Sequence, residues 1–408
     1  MSTHNHTLHD LVETMKFLKQ HGGNKQAAAR ALGMHPNTFR NRVEAAVARG
    51  VTAETNPDKD RDGTIRALKK RVEQLEKDYD TAAKIREQIH QIAAHDPEPP
   101  RWLQGAAKAG TRGIPMLLAS DWHHGEVVRP EEVGGVNEFN SEVSARRIKK
   151  LVTLTTELCY EHMGRAKYSY EGMVFALGGD MISGDIHEEL LATNDKTPQQ
   201  CVNDLTDLLA GAIEHFAGKF GKLFIPCVVG NHGRGTRKPR MKGRVFTSFE
   251  WNIYCNLARE FKRSKHIQFL IPEDTDAYFK VYGHRYLLTH GDSLGVKGGD
   301  GIIGALGPIM RGAIKVSRSE AQIGRDFDTI VMGHWHQYLT LPGLVVNNSL
   351  KGYDEFARLA LRAPYSRPSQ ALWFTHPTHG VTAHWQVYLE PERRAPEDKK
   401  WVSVLEAK

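Results

Sequence analysis

The stretch Pro115-Met116-Leu117-Leu118-Ala119-Ser120-Asp121-Trp122-His123 runs an apolar segment into an acid and an imidazole two positions apart. An apolar run of this length reads as a buried strand, and polar side chains at its end fall on the edge of a sheet. Four more stretches repeat the arrangement. Met173–Leu177 leads to Gly179-Asp180, Leu223–Val229 to Gly230-Asn231-His232, Tyr286–Leu288 to Thr289-His290-Gly291, and Thr329–Met332 to Gly333-His334-Trp335-His336. A single Asp-x-His says little, since isolated histidines are more often satisfied core or surface residues. Five clusters in series, each after a strand, say much more: they collect their side chains along one edge. In Asp-x-His and His-x-His both side chains can turn toward one ion once the strand gives way to a loop.

Carboxylate, imidazole and amide groups without a thiolate suit two borderline divalent ions. Mn²⁺ is the first expectation, with Fe²⁺, Zn²⁺ or Mg²⁺ as alternatives; an iron–sulfur cluster or a Cys-rich structural zinc site is excluded. The four cysteines, Cys159, Cys201, Cys227 and Cys255, read as buried and reduced. No Gly-x-Ser-x-Gly elbow and no cysteine beside a base is present, so no protein nucleophile is expected. Two cations about 3.5–4 Å apart make one unnecessary, because they acidify a shared water and clamp phosphate oxygens through an in-line displacement. The Gly-rich stretch Gly291–Gly307 fits neither phosphate-loop fingerprint and is expected to be a mobile loop beside the site.

On these motifs the chain resembles the calcineurin-like metallophosphoesterases over roughly residues 115–390. The resemblance implies that Asp121, His123, Asp180 and His336 hold one metal and that Asp180, Asn231, His290 and His334 hold the other, with Asp180 bridging. It also implies that His232 protonates the leaving group or steadies the phosphate, and that His232 and Asp180 carry the catalysis. The family usually continues Gly-Asn-His with an acid, where this chain has Gly233. The expected fold is α/β: a two-layer β-sandwich flanked by helices over 111–392, preceded by an all-α helix-turn-helix over 1–54 and a coiled-coil helix over 64–95. Helices are expected over Val143–His162, Gln200–Phe220 and Thr247–Lys262, and the later strands Leu344–Ser349, Ala371–Thr375 and Val381–Leu389 are expected to complete the second sheet.

Directly after His232 comes a loop with six cations and no acid, Arg234, Arg237, Lys238, Arg240, Lys242 and Arg244. Such a run is usually a solvated face, but here it adjoins the proposed catalytic edge, where it would meet the backbone phosphates of a nucleic acid. The formal net charge of +7 points the same way. Near the amino terminus, Leu8, Leu11, Val12, Met15 and Leu18 recur at helical spacing, Gly22-Gly23 ends that helix, and Asn24 caps a short second one from Lys25 to Leu32. A third, Pro36 through Val47, turns Phe39 and Val43 inward and leaves Asn37, Arg40, Asn41 and Arg42 largely outside. This resembles a Fis-like helix-turn-helix, whose third helix can read base edges in a major groove. A small bundle that binds protein is the alternative.

Between the two parts, Ile65 to Ile92 shows a heptad seam with a stammer, read as a homo-oligomer contact or as one amphipathic helix packed on the catalytic part. A stiff Pro-rich linker over 96–110 and a polar tail over 393–408 complete the layout. No run of 18 apolar residues and no signal-peptide pattern appears, so a cytoplasmic protein without a membrane partner is expected, in a bacterium or a phage-infected host. The joint reading is a metal-dependent phosphodiesterase acting on DNA, like the nuclease branch of the family and some bacteriophage proteins. The alternatives are a phosphodiesterase or phosphatase for small nucleotides or phosphoproteins, and a DNA-binding regulator that uses the fold as a scaffold.

Overall fold

A computed structural model describes residues 6–56, 69–70, 113–162, 170–296 and 305–392. The chain divides into two compact units, one within Met1–Gln88 and one within Ile89–Lys408. The expected seam over Ile65–Ile92, the linker, the tail and Gly298–Gly301 lie outside the described residues, apart from Lys69 and Lys70, which are helical.

The first unit is a three-helix arrangement of α1 (Leu8–Gln20), α2 (Lys25–Ala31) and α3 (Pro36–Ala48). Thr7 and Asp10 form a capping box on α1, Asn24 accepts from Gln26 and Ala27 to start α2, and Pro36 opens α3 where a missing N–H costs nothing. Phe39 and Val43 of α3 pack with Ala28 and Ala29 of α2, as their spacing requires. Asn37, Arg40 and Asn41 are exposed. Arg42 departs from the expectation: it is half-buried and its guanidinium lies 3.5 Å from Asp10 of α1, so its position four residues before Ala46 turns it toward the bundle.

The second unit holds two sheets. One has the order β11-β10-β1-β2-β3-β4, from Gly380–Tyr388, Ser369–His376, Ile114–Ala119, Met173–Leu177, Leu223–Pro226 and Ile267–Leu270. The other has the order β5-β6-β7-β9-β8, from Ala277–Val281, His284–Leu288, Thr329–Met332, Leu344–Val346 and Leu339–Leu341. Strands β1 to β4 run parallel, which accounts for their near-continuous apolar runs: both faces are covered. Ile114, Met116 and Leu118 face the second sheet, packing with Phe279, Tyr286, Val331 and Val345. The alternate residues Leu117 and Ala119 face helices α4 (Ser141–Glu157), α6 (Pro198–Phe220) and α7 (Phe249–Glu260). The short α5 (Glu188–Thr193) precedes α6, and α8 (Leu306–Gln322) covers the outer face of the second sheet through Ile309. The layers are therefore helix, sheet, sheet, helix.

Three expectations need correction. Strands β10 and β11 belong to the first sheet, because β10 pairs antiparallel with β1, Met116 opposite Trp373; only β9 joins the second. The loop expected over Gly291–Gly307 ends sooner, since α8 begins at Leu306. The helix expected to reach His162 passes into a π-helical turn over Leu158–His162.

Candidate metal centre

Each of the five clusters sits where a strand stops. Asp121 follows β1, Asp180 follows β2, His290 follows β6, and His334 with His336 follow β7. Asn231 and His232 lie a short loop beyond β3, which ends at Pro226, earlier than its apolar run suggested. The loops are stitched to one another by backbone hydrogen bonds: the N–H of Asp121 donates to Gly179, that of His123 to Asp180, and that of Gly333 to His290, each at 3.0 Å.

Two donor groups result. Asp121, His123 and His336 present ligand atoms within 4.8 Å of one another, and so do Asp180, His290 and His334. Asn231 joins the second group, its Oδ1 3.2 Å from His290 Nε2, while Asp180 Oδ2 lies 3.0 Å from the same nitrogen. In the first group the Nε2 atoms of His123 and His336 face each other at 3.1 Å. Asp121, His123, Asp180 and His290 are buried almost completely.

Three observations fit such residues to divalent cations. Among the described residues eight that are not glycine have positive φ, and five of them are Asp121, His123, Asp180, His334 and His336. A left-handed non-glycine residue costs on the order of 1–3 kcal/mol, so strain is concentrated where the side chains converge. Buried imidazole nitrogens and carboxylates crowd together without enough protons or cations to pair them. The outward ring nitrogen of His290 is also held: Nδ1 donates to the Gly178 carbonyl at 2.9 Å, which leaves Nε2 as the ligand atom toward an ion. Without an ion, burial opposes charge on His290, but the neighbouring Asp180 carboxylate outweighs it and lifts the imidazole to about 10. Burial and the charge of His290 push His334 down to about 4.

The glycines of the motifs have a steric reason. A Cβ at Gly230 would lie 2.1 Å from Asp180 Oδ1, and one at Gly333 would lie 2.2 Å from Asp121 Oδ2. His232 does not join either donor group. Its Nδ1 donates to the Ser183 carbonyl at 2.9 Å, its N–H donates to Asp180 Oδ1 at 2.7 Å, and its ring meets the edge of His123 at 4.6 Å. Nε2 is thereby left as the ring atom free to take or give a proton.

Sequence reasoning missed several neighbours. Glu126 lies 3.4 Å from His123 Nδ1 and binds the buried Lys351 at 2.7 Å, and Lys351 in turn binds Asp354 at 2.6 Å. Glu250 of α7 binds two ligand-bearing loops. His187 lies 6.1 Å from His232, ring to ring. Glu126 lies only three residues beyond His123, while Lys351, Asp354, Glu250 and His187 are brought in from other parts of the chain. The cysteines are buried as expected, and burial pushes Cys159 and Cys201 up to about 12, so neither offers a thiolate.

The six cations of the basic loop separate into two sets. Arg234 is spent on the chain itself, donating to the carbonyls of Asn231, Thr236 and Arg237. Arg244 pairs with Asp292 at 2.8 Å in a half-buried contact, and Arg237 pairs with Glu188 at 3.0 Å on the surface. Lys238, Arg240 and Lys242 are exposed and make no ion pair among the described residues. A cleft runs from Asn231 past Arg234, Arg240 and Arg244 to Asp292, so the loop and the donor groups share one surface.

Residues 11–48 match the family model described as the PucR C-terminal helix-turn-helix domain. The match is consistent with the helix-turn-helix expected over these residues. No curated protein matches the chain. Among solved structures, the chain is similar to a cold-active protein-tyrosine phosphatase of a psychrophilic Shewanella species, at 12% identity and a TM-score of 0.26, covering 71% of this chain and 85% of that one. A TM-score that low defines no common fold. Among the described residues, no helix is long and apolar enough to cross a membrane.

Proposed function

We propose that the chain is a dinuclear metal-dependent phosphodiesterase of the calcineurin-like type, acting on DNA. The observation that carries this reading is the pair of donor groups, Asp121/His123/His336 and Asp180/His290/His334, collected at strand ends with strained backbones. The helix–sheet–sheet–helix layering supports the metallophosphoesterase sandwich that the motifs implied. In this reading Asp121, His123, Asp180 and His336 hold one ion, Asp180, Asn231, His290 and His334 hold the other, and Asp180 is shared. Two such ions, most suitably Mn²⁺, supply acidified water and positive charge opposite the phosphoryl oxygens. His232, fixed through Nδ1, would present Nε2 to the leaving oxygen and, when the ring is doubly protonated, give it the Nε2 proton and return to the neutral Nδ1–H form.

DNA is preferred as substrate because the chain carries a helix-turn-helix and because the basic loop holds six cations and no acid. Asn37, Arg40 and Asn41 lie exposed on α3, where a major groove would receive them. Arg240 lines a cleft with Asn231, and Lys238 and Lys242 are exposed on the same loop, where a strand crossing the metals would meet them. Replacing these three with Gln removes up to three phosphate contacts, and the slope of log affinity against log salt is expected to become shallower by roughly 2–3 units. Hydrolysis of a small chromogenic phosphodiester should be unaffected. An unchanged slope with metals still bound would make the loop a solvated face and favour a small-nucleotide or phosphoprotein substrate.

Deleting Met1–Gly50 separates binding from cutting. The truncated chain is expected to bind DNA more weakly and with less salt dependence, yet to hydrolyse the small phosphodiester at the parent rate, since every donor residue lies in the second unit. Loss of small-substrate turnover would mean that the amino-terminal unit is needed for the catalytic centre.

A further inference from the structure

Glu250 of α7 is a fully buried carboxylate outside all five sequence clusters. A buried acid is tolerated only where its oxygens are satisfied, and its partners say what it is for. The carboxylate accepts the N–H of Met181 and the N–H of Gly230, both at 2.6 Å. Met181 follows Asp180, and Gly230 precedes Asn231. One side chain therefore fastens together the loop carrying the shared carboxylate and the loop carrying the amide ligand. A turn further along α7, the Tyr254 hydroxyl donates to the Val228 carbonyl at 3.0 Å and holds the second loop again.

The position after His232 supplies an independent observation. A Cβ at Gly233 would lie 2.6 Å from Glu250 Cγ and 2.7 Å from Cδ, so the end of Glu250 fills the space that a side chain at 233 would take. Gly233 has no positive φ, so space and not backbone conformation keeps it bare. A glutamate at 233 would carry its carboxyl carbon roughly 2.5 Å from its own Cβ, by ordinary bond lengths and angles. That is close to where the carboxyl carbon of Glu250 already sits.

We infer that Glu250 is the positioning carboxylate of the metal centre, delivered from α7 into the space beside Gly233, and that it sets the separation of Asp180 and Asn231. The inference rests on the dinuclear reading proposed above. Glu250 touches neither ion nor substrate; it acts through the two backbones. A glutamine fills the same volume, but only one of its two polar ends accepts, and its amide would face an N–H.

The test uses the full chain, stripped with EDTA and titrated with Mn²⁺ alone by calorimetry, with thermal melting in parallel. The parent is expected to bind two ions. Glu250→Gln should melt near the parent and bind Mn²⁺ about 10–100-fold more weakly, the usual range for a group that orients ligands. Glu250→Ala should lose at least as much, and adding Gly233→Glu to Glu250→Ala should return the affinity toward the parent value. A merely structural plug would be refilled by that glutamate as well, so Glu250→Gln, which keeps the volume and loses one acceptor, is the variant that separates positioning from packing. A folded Glu250→Gln with parent affinity overturns the inference, as does a double variant no better than Glu250→Ala. An unfolded Glu250→Gln overturns it too, because the residue would then hold the fold and not the ligands. A parent that binds no Mn²⁺ overturns the dinuclear reading itself, whereas the other outcomes leave that reading standing.

Discussion

Asp180→Asn is expected to weaken both ions and to lower phosphodiester hydrolysis by about a thousandfold or more, which is roughly 4 kcal/mol of barrier. Asp180 lies at the centre of the site: Oδ2 is 3.0 Å from His290 Nε2, and Oδ1 accepts the His232 N–H at 2.7 Å. The amide keeps one oxygen and turns an NH₂ toward either a donor N–H or a metal, and it removes the negative charge that two cations need between them. The fold should survive, because the shape is nearly unchanged. Metal analysis beside turnover decides the matter. Full occupancy with parent activity in Asp180→Asn would show that this carboxylate is not shared, and the site would have to be redrawn.

His232→Ala is expected to do the opposite with respect to metal. Its ring belongs to neither donor group, so Mn²⁺ should bind as in the parent, while turnover falls about 10²–10⁴-fold through loss of a positioned proton donor. The loss should be smaller for a substrate with a good leaving group, which needs its proton less. Two metals bound and unchanged turnover would remove His232 from the chemistry. Loss of metal in this variant would instead give it a ligand role that its geometry does not suggest.

These two residues were legible from sequence because the signal that marks them is local. An apolar run ending in Gly-Asp or Gly-Asn-His needs no knowledge of tertiary structure, and β2 and β7 fall on the residues that the hydrophobic pattern marked. The three helices of the first unit were legible for the same reason, since Asn24 and Pro36 act within one turn of the helices they start. What the pattern could not reach is set by pairing across the chain. The assignment of β10 to the first sheet depends on its register with β1, which nothing in Ser369–His376 encodes. Strands β4 and β5 were not anticipated, since neither ends in a ligand motif that draws attention to it.

The same boundary divides the site. The donor residues announce themselves by type and spacing, whereas the groups that hold them do not. Glu126 reaches His123 with Lys351 behind it, and Glu250 comes from a helix whose sequence looks like any amphipathic segment. The partners of the loop cations are likewise set by folding. Arg234 and Arg244 looked like free phosphate contacts beside His232, but their guanidinium groups answer to carbonyls and to Asp292 brought in by folding. Lys238, Arg240 and Lys242 stay exposed and make no ion pair among the described residues.

The most direct test of the central claim is incubation of the purified full-length chain, freed of metal, with end-labelled single- and double-stranded DNA. The reaction is followed with added Mn²⁺ and with Mn²⁺ plus excess EDTA, with Asp180→Asn alongside. Strand cleavage that requires Mn²⁺, stops with EDTA and is absent from Asp180→Asn is the expected result. DNA that is bound but left intact under every metal condition, by a protein shown to hold its ions, would contradict the account.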